Sequence, residues 1–373
     1  MLSKTDIMEA FRELGHEVEA QNAEIPEKAL FALVEDGGFD LVFSSNFHPD
    51  LARACEKSKV RYMSWIYDSP QVLTYDRSIC SEYSYAFHFD SAEAENLKAR
   101  GVKNIWYMPL GVNPERLSKI DVSDRDRELF SSDVSIVASL YNEEHNLYDR
   151  LCERLDDYSK GYLDAILMAQ KNLFGGNLID AVLRDHPELI RVMYKAMPYP
   201  LAEGSLADLA YVYANYFLCR KVAAMQRIEM ISDLSKRFDM KVYTGGDLSA
   251  YPHVKCMGTV DYLTDMNKVF RCSKINLNIT LPSIHTGIPL RALDIMGAGG
   301  FLLSNYQSDF DALFTPGEDY ASFSSMDDAY YTIEYYLEHE DERYAVQKNG
   351  TEKVTQGLSF EELLRGMLDI VFS

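Results

Sequence analysis

The stretch Lys274–Asn305, KINLNITLPSIHTGIPLRALDIMGAGGFLLSN, is where the fold is decided. Ile275, Leu277 and Ile279 alternate with Asn276, Asn278 and Thr280, which predicts a strand over 274–280. Polar side chains on a strand covered by helices on both faces point to a cleft beside it, with Asn278 as a candidate ligand contact. Thr286-Gly287 opens a helix predicted over 289–297, with Pro289 in its first turn, where a missing N–H costs nothing. Gly297, Gly299 and Gly300 allow the chain to leave that helix and pack closely on the next strand, 301–305.

The same rhythm extends in both directions. Towards the amino end, strands are predicted at 40–45, 60–67, 84–89 and 104–108, with helices at 49–57 and 92–100 between them. Only four residues precede the helix Thr5–Leu14, so the sheet is expected to lack its usual first strand. A charged run, 120–129, sets a domain boundary near 130, and a new strand follows at 133–138. From about 145 to 238 helical signals dominate, a helical insertion. Strands resume at 240–243, 301–305 and 321–323, and helices close the chain at 327–338 and 360–372. This is an α/β chain of two parallel-sheet domains, 1–130 and 131–350, with a terminal segment 351–373. Ligands of such sheets bind beyond the carboxyl ends of the strands.

Composition excludes several classes. The 373 residues carry 58 acidic and 37 basic side chains, a net charge of −21. That charge repels nucleic acid and anionic membranes over most of the surface and leaves room only for a local basic pocket. The six cysteines form no C-x-x-C pair and the eight histidines no zinc-binding spacing, so no metal is expected. Scattered thiols, the absence of an apolar leader in 1–14 and the lack of a membrane-length apolar run favour a cytoplasmic protein. The apolar run 206–219 reads as a core helix.

Candidate chemistry gathers at the 289–297 helix. Its free N–H groups and dipole attract an anion, but the dipole contributes only about 0.3–2 kcal/mol, so a diphosphate needs a cation too. Arg291 in the first turn is that cation, and Asp294, three residues on, is placed to take the hydroxyls of a ribose; the competing reading is a surface ion pair. Lys241 and Lys274 are further cations, each more often a solvated lysine. His48 and Asp68 follow predicted strands and are candidates for a general base, against a reading as turn residues before Pro49 and Pro70. The strings Asp124-Arg-Asp126 and Asp309-Phe-Asp311 read as acidic helix starts.

The run Arg291–Asn305, with Asp309–Phe314, Tyr335–His339 and Asp341–Arg343, resembles the C-terminal half of GT-B glycosyltransferases of the spore-maturation (CgeB-like) type, glycosyl transferase group 1-like. Met108–Pro114 and Val134–Tyr141 are similar to other parts of that family. The resemblance implies two Rossmann-like domains facing a cleft, the acceptor on the N-terminal side and the donor on the C-terminal side, with helix 360–372 returning to the N-terminal domain. It implies hexose transfer from a nucleotide-diphosphate sugar, a UDP-sugar by preference, to an unspecified acceptor, with neither metal nor cofactor. The 145–238 insertion would carry acceptor choice or a homo-oligomer contact. Of the two glutamates that related retaining enzymes space as E-x7-E, Asp294 takes the second place and Thr286 the first, a departure. Val260 and Tyr262 match the turn beside the nucleobase, and the amides of Thr286, Gly287 and Ile288 would stabilise the diphosphate with Arg291. A non-catalytic sugar-nucleotide-binding scaffold is the alternative; a nicotinamide oxidoreductase is disfavoured because no G-x-G-x-x-G follows a first strand.

Overall fold

Short apolar segments here become strands because helices cover them on both faces. The computed structural model describes residues 3–21, 26–143 and 146–373, and they fall into two units. The first comprises residues 1–111, 200–208 and 358–373, the second 112–199 and 209–357. Position 145, the expected start of the insertion, lies outside the described residues.

In the first unit β1 (Leu41–Ser45), β2 (Arg61–Ile66), β3 (Ser84–His88) and β4 (Ile105–Tyr107) form a parallel sheet in chain order. Tyr62, Trp65, Ile66 and Phe87 are fully buried. Phe360 of the last helix, Phe360–Phe372, meets Trp65 edge-on at 5.9 Å between ring centres. Phe11 of helix Lys4–Glu13 meets Phe43 in the same way at 5.3 Å. A Cβ on Gly111 would stand 2.9 Å from Leu363, so glycine is what lets the chain pass under that last helix. The segment 200–208 is fastened here by the Leu206 N–H on the Tyr75 carbonyl at 2.7 Å.

In the second unit β5 (Ser132–Val137), β6 (Met240–Tyr243), β7 (Lys255–Gly258), β8 (Ser273–Asn278), β9 (Leu302–Asn305) and β10 (Ala321–Phe323) make one parallel sheet. The order is β10-β9-β8-β5-β6-β7. The order in which the chain adds strands reverses between β5 and β8, which is where an open α/β sheet leaves a crevice. Between β5 and β6 the described residues form helices alone, from Leu147–Cys152 to Cys219–Leu234. Of the apolar run 206–219, residues 209–219 are largely buried there, and residues Tyr213–Leu218 run as a π-helix directly into Cys219–Leu234.

Three expectations need correction. The units divide at 111/112, before the boundary placed near 130, because Val112 and Leu117 pack within 3.1 Å of where a Cβ on Gly297 would lie, and Arg271 Nη2 donates to the Leu117 carbonyl at 2.7 Å. Position 351 lies inside helix Glu340–Gly357, whose Gly350 sits against the Asp319 carbonyl with no room for a side chain, so the last segment begins at 358. The polar alternation of β8 marks no cleft. Asn276 is 1% exposed, accepts from the Ser135 hydroxyl at 2.8 Å and donates to the Phe270 and Phe301 carbonyls at 3.1 and 3.2 Å. Asn278 donates to Ser304 at 2.9 Å and Thr280 at 3.1 Å. These amides lace β5, β8 and β9 together.

Replacing Asn276 with Leu strands the Phe270 carbonyl and the Ser135 hydroxyl in the core, at about 1–3 kcal/mol each. The expected result is a urea midpoint lowered by the equivalent of about 2–4 kcal/mol, read by circular dichroism; a wild-type midpoint would show that these groups find other partners.

Candidate functional site

At the carboxyl ends of β5 and β8 the sheet hands two carbonyls to one arginine. Arg227, on helix Cys219–Leu234, donates to the Ile279 carbonyl through Nη2 at 2.6 Å and Nε at 3.2 Å, and to the Ser139 carbonyl through Nη1. Its guanidinium also lies 5.0 Å from the ring of Tyr141, which Arg220 approaches at 5.3 Å. Tyr141 has a φ of 54°, the left-handed conformation that only a tight turn after β5 explains. Burial lowers the pKa of Arg227, Tyr141 opposes the shift, and the positive charge of Arg291 adds to it. Two guanidinium groups thus share one neighbourhood in a chain of net charge −21.

Beyond Ile279 the loop reaches Pro289, which caps helix Leu290–Gly297 (φ −68°, ψ 147°) instead of entering it. Arg291 is then the second helical residue, with 28% of its side chain exposed, packed on the Phe270 ring at 5.9 Å and touching the Met266 sulfur. Asp294 is 7% exposed, so the pair is no surface ion pair. It accepts from Arg291 Nη1 at 3.3 Å and from the Tyr262 hydroxyl at 2.9 Å. Tyr262 comes from the loop after β7, and Asn267 holds that loop through the Tyr262 carbonyl at 3.1 Å. Val260, two residues earlier, is half-buried. The structure therefore unites Arg291, Asp294 and Tyr262. Gly287 and Ile288 lie buried in the loop before this helix, and the Thr286 carbonyl takes the Asp309 N–H at 3.1 Å.

Three expected donor contacts are engaged elsewhere. Lys274 is at the amino end of β8, opposite to the crevice, and pairs with Asp133 at 2.7 Å. Lys241, likewise near the amino end of β6, donates to the Leu129 carbonyl at 2.6 Å. Asn278 spends its amide inside the sheet.

His48 and Asp68 form a separate group in the first unit, beyond the carboxyl ends of β1 and β2. Both are exposed. Asn46, with a φ of 60°, accepts the N–H groups of Tyr67 and Asp68 at 2.9 and 3.1 Å and donates to Asp68 Oδ2 at 2.6 Å. The His48 N–H donates to the Tyr62 hydroxyl at 2.9 Å, and its ring begins helix Pro49–Ser58 without capping it.

The acidic pairs act locally. Asp126 closes a capping box with Ser123 and is pulled down to about 2, by Ser123 first and Lys268 second. Asp311 accepts from the Tyr306 hydroxyl at 2.6 Å. Among the described residues no group of three His, Cys, Asp or Glu side chains is placed to hold a metal, and no helix is long and apolar enough to cross a membrane. Sequence reasoning missed Arg227, Asn46 and Tyr141. Arg227 carried one faint signal, a charged residue in the otherwise buried face of an apolar helix.

Residues 223–369 match the family model described as glycosyl transferase-like, a span that takes in Arg227, Tyr262, Arg291 and Asp294. No curated protein sequence matches the chain. Among solved structures, Alr3699/HepE of Anabaena in complex with UDP-glucose superposes with a TM-score of 0.51 at 9% identity, over 98% of this chain and 88% of that one. Sucrose-phosphate synthase of Thermosynechococcus elongatus gives 0.50 at 11% identity, over 93% and 79%. At such identities the likeness is one of fold. The fold is GT-B, built of two parallel-sheet units, and its C-terminal part carries the glycosyl transferase-like match.

Arg227→Ala removes charge-assisted bonds of about 1.5–3 kcal/mol each and should lower stability by at least about 3 kcal/mol, whereas Asp68→Ala, exposed, should cost less than about 1 kcal/mol. Urea titrations of the two variants decide it. Equal losses would make Asp68 a structural residue.

Proposed function

We propose that this protein is a metal-independent glycosyltransferase of the spore-maturation type, moving a hexose-type sugar from a nucleotide-diphosphate sugar, a UDP-sugar by preference, to an acceptor. The observation that carries this reading is Arg291, a partly exposed cation in the first turn of a helix whose amino end follows β8, in a strongly acidic chain. The bound UDP-glucose in the Anabaena structure of the same fold and the family match over 223–369 support it.

The residues divide the work by position. Arg291 and the amides of Thr286, Gly287 and Ile288 face the diphosphate. As the bond from the anomeric carbon to the diphosphate oxygen breaks, charge grows on the leaving group, and these fixed donors stabilise it more than they stabilise the ground state. Asp294, which accepts from Arg291 and Tyr262, is the carboxylate at this helix assigned to the ribose hydroxyls. The Tyr262 hydroxyl donates to Asp294, and its ring and Val260 are assigned to the base. On the acceptor side, Asp68, oriented by Asn46, takes the proton of the attacking hydroxyl as the new bond to the anomeric carbon forms, with His48 as the second proton acceptor of that group. Thr286, which has no carboxylate to grip the sugar, favours the second reading, a sugar-nucleotide-binding protein without turnover. Release of UDP from a UDP-sugar separates the two.

A ligand at about 100 times its Kd stabilises the fold by about 2.7 kcal/mol. UDP and UDP-sugars are therefore expected to raise the melting temperature clearly, and NAD not at all. Arg291→Ala should weaken UDP about 10- to 100-fold, because a charge-assisted phosphate contact is worth about 1.5–3 kcal/mol, and the free protein should melt lower because Asp294 loses its partner. If no nucleoside diphosphate shifts the melting temperature, the reading is wrong.

A further inference from the structure

The loop before helix Leu290–Gly297 is held by a residue that the sugar-transfer reading does not use. Gln307, just past β9, is 2% exposed. Its side-chain nitrogen donates to the Ile284 carbonyl at 2.9 Å and reaches the Gly287 carbonyl at 3.5 Å. Only the NH2 end of an amide donates, so two carbonyl partners fix which way the group is turned. Two residues on, the Asp309 N–H donates to the Thr286 carbonyl at 3.1 Å. The turn 307–309 thus gathers the carbonyls of 284, 286 and 287 onto one side.

Peptide geometry fixes the other side. In a planar trans peptide the C=O of one residue and the N–H of the next point in opposite directions, and the peptide bonds of this loop are trans. With the Thr286 and Gly287 carbonyls drawn to the 307–309 turn, the N–H groups of Gly287 and Ile288 face away from it. Among the described residues neither donates to a protein acceptor, although Ile288 is only 1% exposed. A buried N–H without an acceptor costs about 1–3 kcal/mol, which is the signature of a place built for an outside acceptor. Successive N–H groups turned one way form an anion-binding nest.

We infer that Gln307 is a positioning residue: by holding the Gly287 carbonyl, beside the Asp309 N–H that holds the Thr286 carbonyl, it aims the Ile288 N–H, next to that of Gly287, at the diphosphate of the donor. The inference rests on the reading that a nucleotide diphosphate binds at this helix. Gln307 touches no ligand itself. Its effect is selective, since it sets groups that see phosphate oxygens and none that see the base or ribose. A residue that merely packs the loop would alter nucleoside and diphosphate binding alike.

The test uses Gln307→Met, which keeps the length and loses the donors, and Gln307→Glu, which faces the same carbonyls with an acceptor. UDP binding is measured by calorimetry and uridine binding by competition. The expected result is a UDP Kd raised about tenfold or more in both variants, with the uridine Kd within about twofold of wild type. Equal losses for UDP and uridine, or none, overturn the inference. Should both variants fail to fold, amide hydrogen exchange on the unaltered protein decides it: UDP should slow exchange at 287 and 288, and unchanged exchange there overturns the inference. Wild-type protein that binds no UDP would instead refute the sugar-nucleotide reading beneath it.

Discussion

The second unit depends on how the chain deals with the gap where β5 and β8 send their connections to opposite sides of the sheet. A parallel sheet leaves backbone groups unpaired at its carboxyl end, and at the reversal no neighbouring crossover covers them. Arg227 spans the gap and takes the Ser139 and Ile279 carbonyls from the two arms. A guanidinium suits the task because its fork of donors reaches two carbonyls at once and stays protonated when buried. The cation that closes the gap is thereby fixed to both arms of the sheet.

Around this clamp the unit uses hydrogen bonds where a sheet of this class more often uses aliphatic packing. Ser135, Asn276, Asn278 and Ser304 are buried and bonded to one another or to backbone carbonyls. Such a network contributes little net energy, because each bond replaces one to water, but it penalises any other register of β8 heavily. The loops that leave β8 and β9 are fixed in turn by Thr280 on Asn305 at 2.7 Å and by Gln307 on Ile284. The crevice residues are therefore placed by polar contacts that extend back into the sheet.

The first unit is assembled from three parts of the chain, and its packing explains why. Trp65 and Phe43 need aromatic partners on the faces of a four-stranded sheet, and Phe360 and Phe11 supply them from distant positions. The Asn46–Asp68 contact arises at the same sheet's carboxyl end, where the left-handed backbone of Asn46 folds its side chain over the neighbouring turn.

Much of the fold was legible because strands and helices announce themselves through local periodicity. The strands at 240–243 and 321–323 and the last helix, 360–372, coincide with the pattern of their own residues. Helix Leu290–Gly297 with Arg291 and Asp294 at its start could be read the same way, since three residues of spacing put both on one side. What sequence could not decide is what a polar residue does once other segments arrive. Asn278 looked like a ligand contact and is a rung between strands; Lys274 looked like a phosphate cation and lies at the far end of its strand beside Asp133. Arg227 meets Ile279 across 52 residues and Ser139 across 88, and no local pattern encodes such a meeting. The sequence alone determined where most of the elements are and which helix carries Arg291 and Asp294 on one side of its first turns, because those follow from spacing along one chain. Which polar groups remain for a ligand was decided by tertiary structure, because a side chain's donors and acceptors are claimed by whatever backbone folding brings within 3 Å of them.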